Sequence, residues 1–396
     1  MARAIAQEAP SPTEPASRAD TASLPPAGGS AVSRPVVIPL PSAMDLVAGL
    51  WWILRLLLAL FVFVGALQLM KTGAASLDVL QNGGALVRNL GATMGLGWLG
   101  ALIFLSGSPV AASALTLVSS DSISEIEGFT MLTGSRLGAA FVVLVVAVVY
   151  AVRGGRGERG RPVSTAVIAL STTAMIYIPA AFIGVSLLEW NRFAGLDLAF
   201  SAGFADLIDF VYGGLIARAE QVPSGLIFLA GLGALLGSFK LIDWVMPSLD
   251  EETLSERRAE WLRRKWPMFA LGSVVALVTM SVSVALTILV PLVSKRYVKR
   301  EDVVPYIMGA NITTLGDTML ASFALHSAAA VRIVLAEVVA TSLISLILLR
   351  FFYPQTCRFI WAFQRQVVRS KPRLGLFTAG LFLIPISVVL FSNLLV

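Results

Sequence analysis

The chain has 396 residues, of which 57% are hydrophobic and 14% charged, with a mean hydropathy of +0.82. Soluble domains carry about 25% charged residues, so the composition excludes an ordinary water-soluble fold and places the chain in a membrane. A net charge of +6 needs no nucleic acid partner, because arginine and lysine collect in the cytoplasmic loops of membrane proteins.

In chain order, residues 1–43 are rich in Pro, Ala and Ser and contain no apolar core of the kind a signal peptide needs. They read as a disordered cytoplasmic tail. A span of about 20 apolar helical residues crosses the ~30 Å hydrocarbon layer. Such runs occur near 45–70, 131–152, 163–188, 223–247, 303–324, 328–350 and 374–395. Two further apolar segments, 91–118 and 267–293, are interrupted by Gly, Ser and Pro. Interruptions at membrane depth are tolerated only where protein shields the backbone or a watery cavity borders it. Both segments are therefore expected to be re-entrant hairpins. The expected organisation is a tail (1–43), a first membrane repeat (44–190), an external connection (191–222), a second repeat (223–352), and an amphipathic segment with a last span (353–396).

The loop RGGRGERGRP, 153–162, carries four arginines and one glutamate and is expected in the cytoplasm. The segment following the first hairpin, SSDSISEIEG, is acidic, whereas SKRYVKRED after the second is basic. Opposite charge predicts that the hairpins enter from opposite faces. An internal repeat supports this. Setting Ser106 against Ser281 also aligns Ser108 with Ser283, Ser119 with Ser294 and Gly134 with Gly309, without a gap, at an offset of 175. The fold class expected is thus an all-α polytopic membrane protein of two inverted-topology repeats with re-entrant hairpins and discontinuous helices.

That architecture is the one many secondary transporters use, with the site near the midplane where the repeats meet. It gives a reason for the polar stretch YIMGANITTLGDT, 306–318, between apolar runs. Broken helix ends leave N–H and C=O groups free to replace a solute's hydration shell. Half-helix N-termini suit anions, and carbonyl and hydroxyl oxygens suit a hard cation such as sodium. Serine and threonine provide rotatable donors and acceptors.

At these residues the chain resembles the sodium/phosphate cotransporter family, bacterial type. Members carry, in each of two inverted halves, a Gln-Ser-Ser-Ser type motif and, about thirty residues on, a Gly-Ala-Asn-Ile-Gly-Thr type motif. MGANITT, with Pro305 before it, matches the second element. MSVS, 280–283, keeps the outer serines but has Met280 for glutamine and Val282 for the middle serine. LSGS, 105–108, departs similarly, and TGSRLG has Arg136 where asparagine is expected. Downstream, Glu337 and Thr341 stand where the family often shows histidine and asparagine.

The resemblance implies sodium-coupled symport of inorganic phosphate by a multi-pass protein of the plasma (inner) membrane. The substrate and ion site implied comprises Ser106, Ser108, Gly134, Ser135, Arg136, Ser281, Ser283, Gly309, Asn311, Thr313, Thr314 and Asp317, with sodium at Ser281, Ser283, Asn311 and Thr314. Expected partners are phosphate or a similar small anion, sodium and the lipid bilayer. Arg136 is expected to face a central cavity and to bind either the substrate anion or Asp317. Two other readings stay open: a carrier of the same fold for another small anion or organic solute, and a non-transporting sensor or assembly protein. An enzyme is not expected, since no nucleophile with a base appears and GSRLGAA lacks the Gly-Lys-Ser/Thr ending of a P-loop. A single cysteine, Cys357, precludes an internal disulfide, and a single histidine, His326, argues against a His-based metal site.

Overall fold

The computed structural model describes residues 43–75, 89–153, 160–193, 202–245, 264–294 and 298–392. The expected tail, and much of the loop at 153–162, lie outside the described residues. The chain divides into a short unit, Met1–Val47, and a unit of Ala48–Val396; the architecture below is that of the second.

All regular structure among the described residues is helical. The elements are α1 (Ala43–Ala75), α2 (Leu90–Phe104), α3 (Ser108–Ser119), α4 (Glu125–Ala139), α5 (Phe141–Arg153), α6 (Gly160–Glu189), α7 (Ala202–Ala219) and α8 (Ser224–Val245). They continue with α9 (Lys265–Thr279), α10 (Val282–Thr287), α11 (Leu289–Ser294), α12 (Arg300–Thr313), α13 (Gly316–Ala324), α14 (Ala328–Arg350), α15 (Tyr353–Val368) and α16 (Lys371–Ser392). Six stretches are long and apolar enough to cross a membrane: 49–75, 125–152, 161–189, 224–242, 328–350 and 371–392. The chain is a multi-pass membrane protein.

Two differences from the sequence reading stand out. The run at 303–324 is two helices, α12 and α13, with turn residues at Thr314 and Leu315 between them. The stretch read as a connection, 191–222, contains α7, whose Phe210 and Leu207 are exposed apolar side chains. Its glycines and acids break the continuous hydropathy by which spans are recognised.

The offset of 175 reappears in the backbone. After α2 the chain turns through Leu105 with φ 52°, and after α9 through Met280 with φ 47°, both left-handed. The 125–152 span turns at Ala140, and its counterpart at Leu315. A Cβ on Gly97 would overlap the carbonyl oxygen of Met131, and one on Gly272 that of Tyr306. Gly134 meets the carbonyl of Met94 in the same way, and Gly309 that of Phe269. Only glycine permits two helices to approach this closely, so the sequence locks α2 onto α4 and α9 onto α12.

Contacts at the helix ends place the hairpins. Lys265, at the start of α9, donates to the carbonyl of Leu349 at 3.0 Å, and Gln364 to Ser164 at 3.0 Å. Arg332, near the start of α14, pairs with Glu125, and Ser122 donates to the Ala74 carbonyl at 3.3 Å. Thr93, in the first turn of α2, lies 2.6 Å from Thr130 in the first half of α4, so the hairpin α2–α3 begins and ends towards the start of α14, while α9–α11 begins beside its finish. Helix α15 buries Cys357, Ile360 and Val367 and exposes Phe359, Phe363 and Arg365. Arg55, a charge within the first span, lies over the rings of Trp51 and Trp244, 5.1 and 4.2 Å from their centroids, a cation–π arrangement that offsets part of its desolvation.

Candidate functional site

The hairpin tips come together. Ser283, one residue into α10, donates its hydroxyl to the carbonyl of Leu105 at 3.4 Å. Ser281 caps α10, its hydroxyl accepting from the Val284 N–H at 3.3 Å. A cavity of about 250 Å³ opens beside the tips, and its polar lining is Ser106, Ser108, Ser281 and Asp317. Leu56, Leu60 and Phe63 of α1 and Phe239 and Ile242 of α8 form its apolar walls. The arrangement matches the usual form of a small-solute site, apolar with a few convergent polar groups.

Asp317 connects this cavity to a polar cluster behind it. Its Oδ1 accepts from Arg136 Nη2 at 3.3 Å and from the Thr318 N–H at 2.6 Å. The same Nη2 donates to the Thr318 hydroxyl at 3.2 Å. Arg136 and Asp317 are 1% and 4% exposed, so this is a buried ion pair. The expectation that Arg136 faces the cavity needs revision: the acid lines the wall, and the guanidinium sits on its far side. The reason is the side of α4 that Arg136 occupies, which packs on α13 and α14 through Thr318 and Glu337.

One turn earlier on α4, Thr133 donates to Glu337 Oε2 at 2.8 Å, and Glu337 is fully buried. From α6, Tyr177 donates to the carbonyl of Asn311 at 2.8 Å, while Asn311 Nδ2 donates to the Thr173 hydroxyl at 3.2 Å. Thr314 donates to the Asn311 carbonyl at 3.4 Å, and Thr313 to the Ser273 carbonyl at 2.7 Å. Ser135 bonds back to the Leu132 carbonyl at 2.6 Å. Gly134 and Gly309 serve the helix contacts already described.

Eight of the twelve predicted residues fall into three places. Ser106, Ser108, Ser281 and Asp317 line the cavity; Ser283 links the tips; Arg136, Asn311 and Thr314 belong to the buried cluster. The cluster adds Thr133, Thr173, Tyr177, Thr318 and Glu337, which were not in the predicted site. Glu337 carried a visible signal, an acid inside an apolar span, which is functional by default. Five of the cluster's atoms are buried without a hydrogen-bond partner among the described residues: Arg136 Nε and Nη1, Asn311 Oδ1, Asp317 Oδ2 and Glu337 Oε1. Buried polar groups are nearly always paired, so such a concentration in one region marks a place built to meet something polar.

About half of this region lies within a segment that matches a known family. Residues 228–354 match the model of the Na+/Pi-cotransporter family. Over this segment the chain is similar to the Na+/Pi cotransporters. The segment includes Ser281, Ser283, Asn311, Asp317 and Glu337, and the family is one of transporters, not enzymes. No curated protein and no solved structure matches the chain. The match ends at the first turn of α15, so nearly all of the amphipathic helix lies outside it.

Proposed function

We propose that the protein is a secondary active transporter that carries inorganic phosphate with sodium across the cell membrane, using two halves of inverted topology. The observation that carries this reading is the cavity where serine tips from both halves meet one carboxylate, half of it formed by the segment similar to the Na+/Pi cotransporters. Hydroxyl and carboxylate oxygens are the donor set a hard monovalent cation needs. Asp317 Oδ2, buried and unpartnered, gives that set its charge. The anion role falls to Arg136, whose Nε and Nη1 remain free for an oxyanion.

Support for the inversion comes from the hairpins beginning at opposite ends of α14 and from the paired left-handed turns at Leu105 and Met280. The end that holds Arg264, Lys265, Arg350 and Lys371 is read as the cytoplasmic one by the positive-inside rule, in a protein of the plasma (inner) membrane.

Purified protein in proteoliposomes should accumulate labelled phosphate when an inward sodium gradient is imposed and not when choline replaces sodium. Sodium-independent uptake, or none, would overturn the coupling. Movement of a different anion instead would favour a same-fold carrier, a reading to which Met280, Val282 and Arg136 lend weight because they replace family residues. Topology is checked separately. Cysteines at the exposed Asp121 and Lys299 should react with an impermeant thiol reagent from opposite faces, against the low background of buried Cys357. Reaction from one face removes the inverted repeat.

A further inference from the structure

The mechanism above uses Asp317 and Arg136 but leaves Glu337 idle, although it is a fully buried acid at the centre of the same cluster. Its surroundings are specific. Thr133 has one hydroxyl hydrogen, and its oxygen lies 2.8 Å from Glu337 Oε2 and 3.0 Å from the Phe129 carbonyl. If Glu337 is ionised, that single hydrogen is the only one offered to it among the described residues, and Oε1 has none there. If Glu337 carries a proton on Oε2, the carboxyl donates to Thr133 and Thr133 donates to Phe129, a chain in which each hydrogen is used.

The charges facing the site decide between these states. Helix α4 brings Arg136, α13 brings Asp317 and α6 brings the Tyr177 hydroxyl; α3 has no charged residue. On α14 itself Arg332 is paired with Glu125, and on α15 Arg358 and Arg365 are exposed. The charges of α12 are at its first turn, Arg300 to Asp302, away from the Asn311 end. The cluster therefore holds two acids and one guanidinium, and the guanidinium's ion pair is with Asp317. A buried carboxylate with no cation in contact is strongly disfavoured, and a proton removes that cost.

We infer that Glu337 is a proton-binding site, and that its proton determines which acid Arg136 serves. Arg136 and Thr133 are one helical turn apart on α4 and face the same side, so the guanidinium is anchored within reach of both acids. With the proton on Glu337, Arg136 stays on Asp317, as seen. When the proton leaves to water, the new negative charge draws Arg136 from Asp317, and the acid in the cavity wall is left free to hold a cation. Proton release and cation capture are thereby linked, and the same site takes a proton as well as the ions of the proposed symport, a reading on which the coupling consequence rests.

The experiment has two arms. Infrared spectra of the reconstituted full chain should show the C=O stretch of a protonated carboxyl near neutral pH. Glu337→Gln, which keeps a hydrogen-bond donor towards Thr133, should remove that band, and Asp317→Asn should retain it. Thr133→Val should keep the band but shift it, a result that stands even if the glutamine variant folds poorly. No band in the wild type, or one that survives Glu337→Gln, overturns the site. In the second arm, sodium-driven phosphate uptake is followed against pH at a fixed concentration of dihydrogen phosphate. One titrating proton gives a limb of about tenfold per pH unit, and Glu337→Gln should flatten it. A limb that is unchanged in the variant refutes the coupling. A wild type with the band and no phosphate uptake leaves the proton site standing and removes the transport reading alone.

Discussion

Asp317→Asn should lower the thermal stability of the detergent-solubilised protein sharply, and the double variant Arg136→Met with Asp317→Leu should recover most of the loss. The pair is buried at 3.3 Å, with both side chains almost inaccessible. Removing one partner of such a pair leaves an uncompensated charge and costs about 3–5 kcal/mol, whereas replacing both by apolar groups is often neutral or stabilising. Arg136→Met alone should be destabilised similarly. A double variant no more stable than either single one would show that the pair is not the energetic unit the geometry describes. Function separates from stability here. The double variant should have lost phosphate binding, because no other buried guanidinium faces the cluster among the described residues; retained phosphate affinity would remove the anion role of Arg136.

The second large effect concerns the glycine contacts. Gly134→Val and Gly309→Val should yield little monodisperse protein on size-exclusion chromatography, because even the first added carbon overlaps a carbonyl oxygen of the facing helix. Overpacking a tight site costs about 1–3 kcal/mol, occasionally more, and here the obstacle is backbone, which has no rotamer to yield. Gly97→Val and Gly272→Val should behave alike. Gly213→Ala and Gly375→Ala are the controls, since a Cβ at either meets nothing within 4 Å. Normal yield of the Gly134 and Gly309 variants would mean that the helix pairs are not locked as described.

Much of this was legible in the sequence because membrane insertion simplifies the code: six of the seven expected spans recur within a few residues. The serine pairs recur at an offset of 175 in the sequence, and the same offset relates the left-handed turns at Leu105 and Met280 and the close contacts of Gly134 and Gly309. Asp317 stood out as an acid among apolar residues, and its pairing with Arg136 was one of two partners open to that arginine. What stayed hidden needed three-dimensional adjacency. Thr173 and Tyr177 sit in an unremarkably apolar span, and only the packing of α6 on α12 gives them Asn311 as a partner. Glu337 was read as a departure from a family pattern, and its meaning comes from Thr133, 204 residues away. The position of Arg136 behind Asp317 could not be read from helical periodicity, which gives a face and not what covers it.

The glycine contacts also divide the molecule mechanically. A helix pair held backbone to backbone has no slack, so α2 with α4 forms one stiff strut and α9 with α12 another. Arg136 rides on the first strut. Asp317 lies on α13, beyond the turn at Thr314 and Leu315 that follows the second. The 3.3 Å between them therefore spans the join between the two struts, and a probe placed at that pair would register any displacement of one against the other.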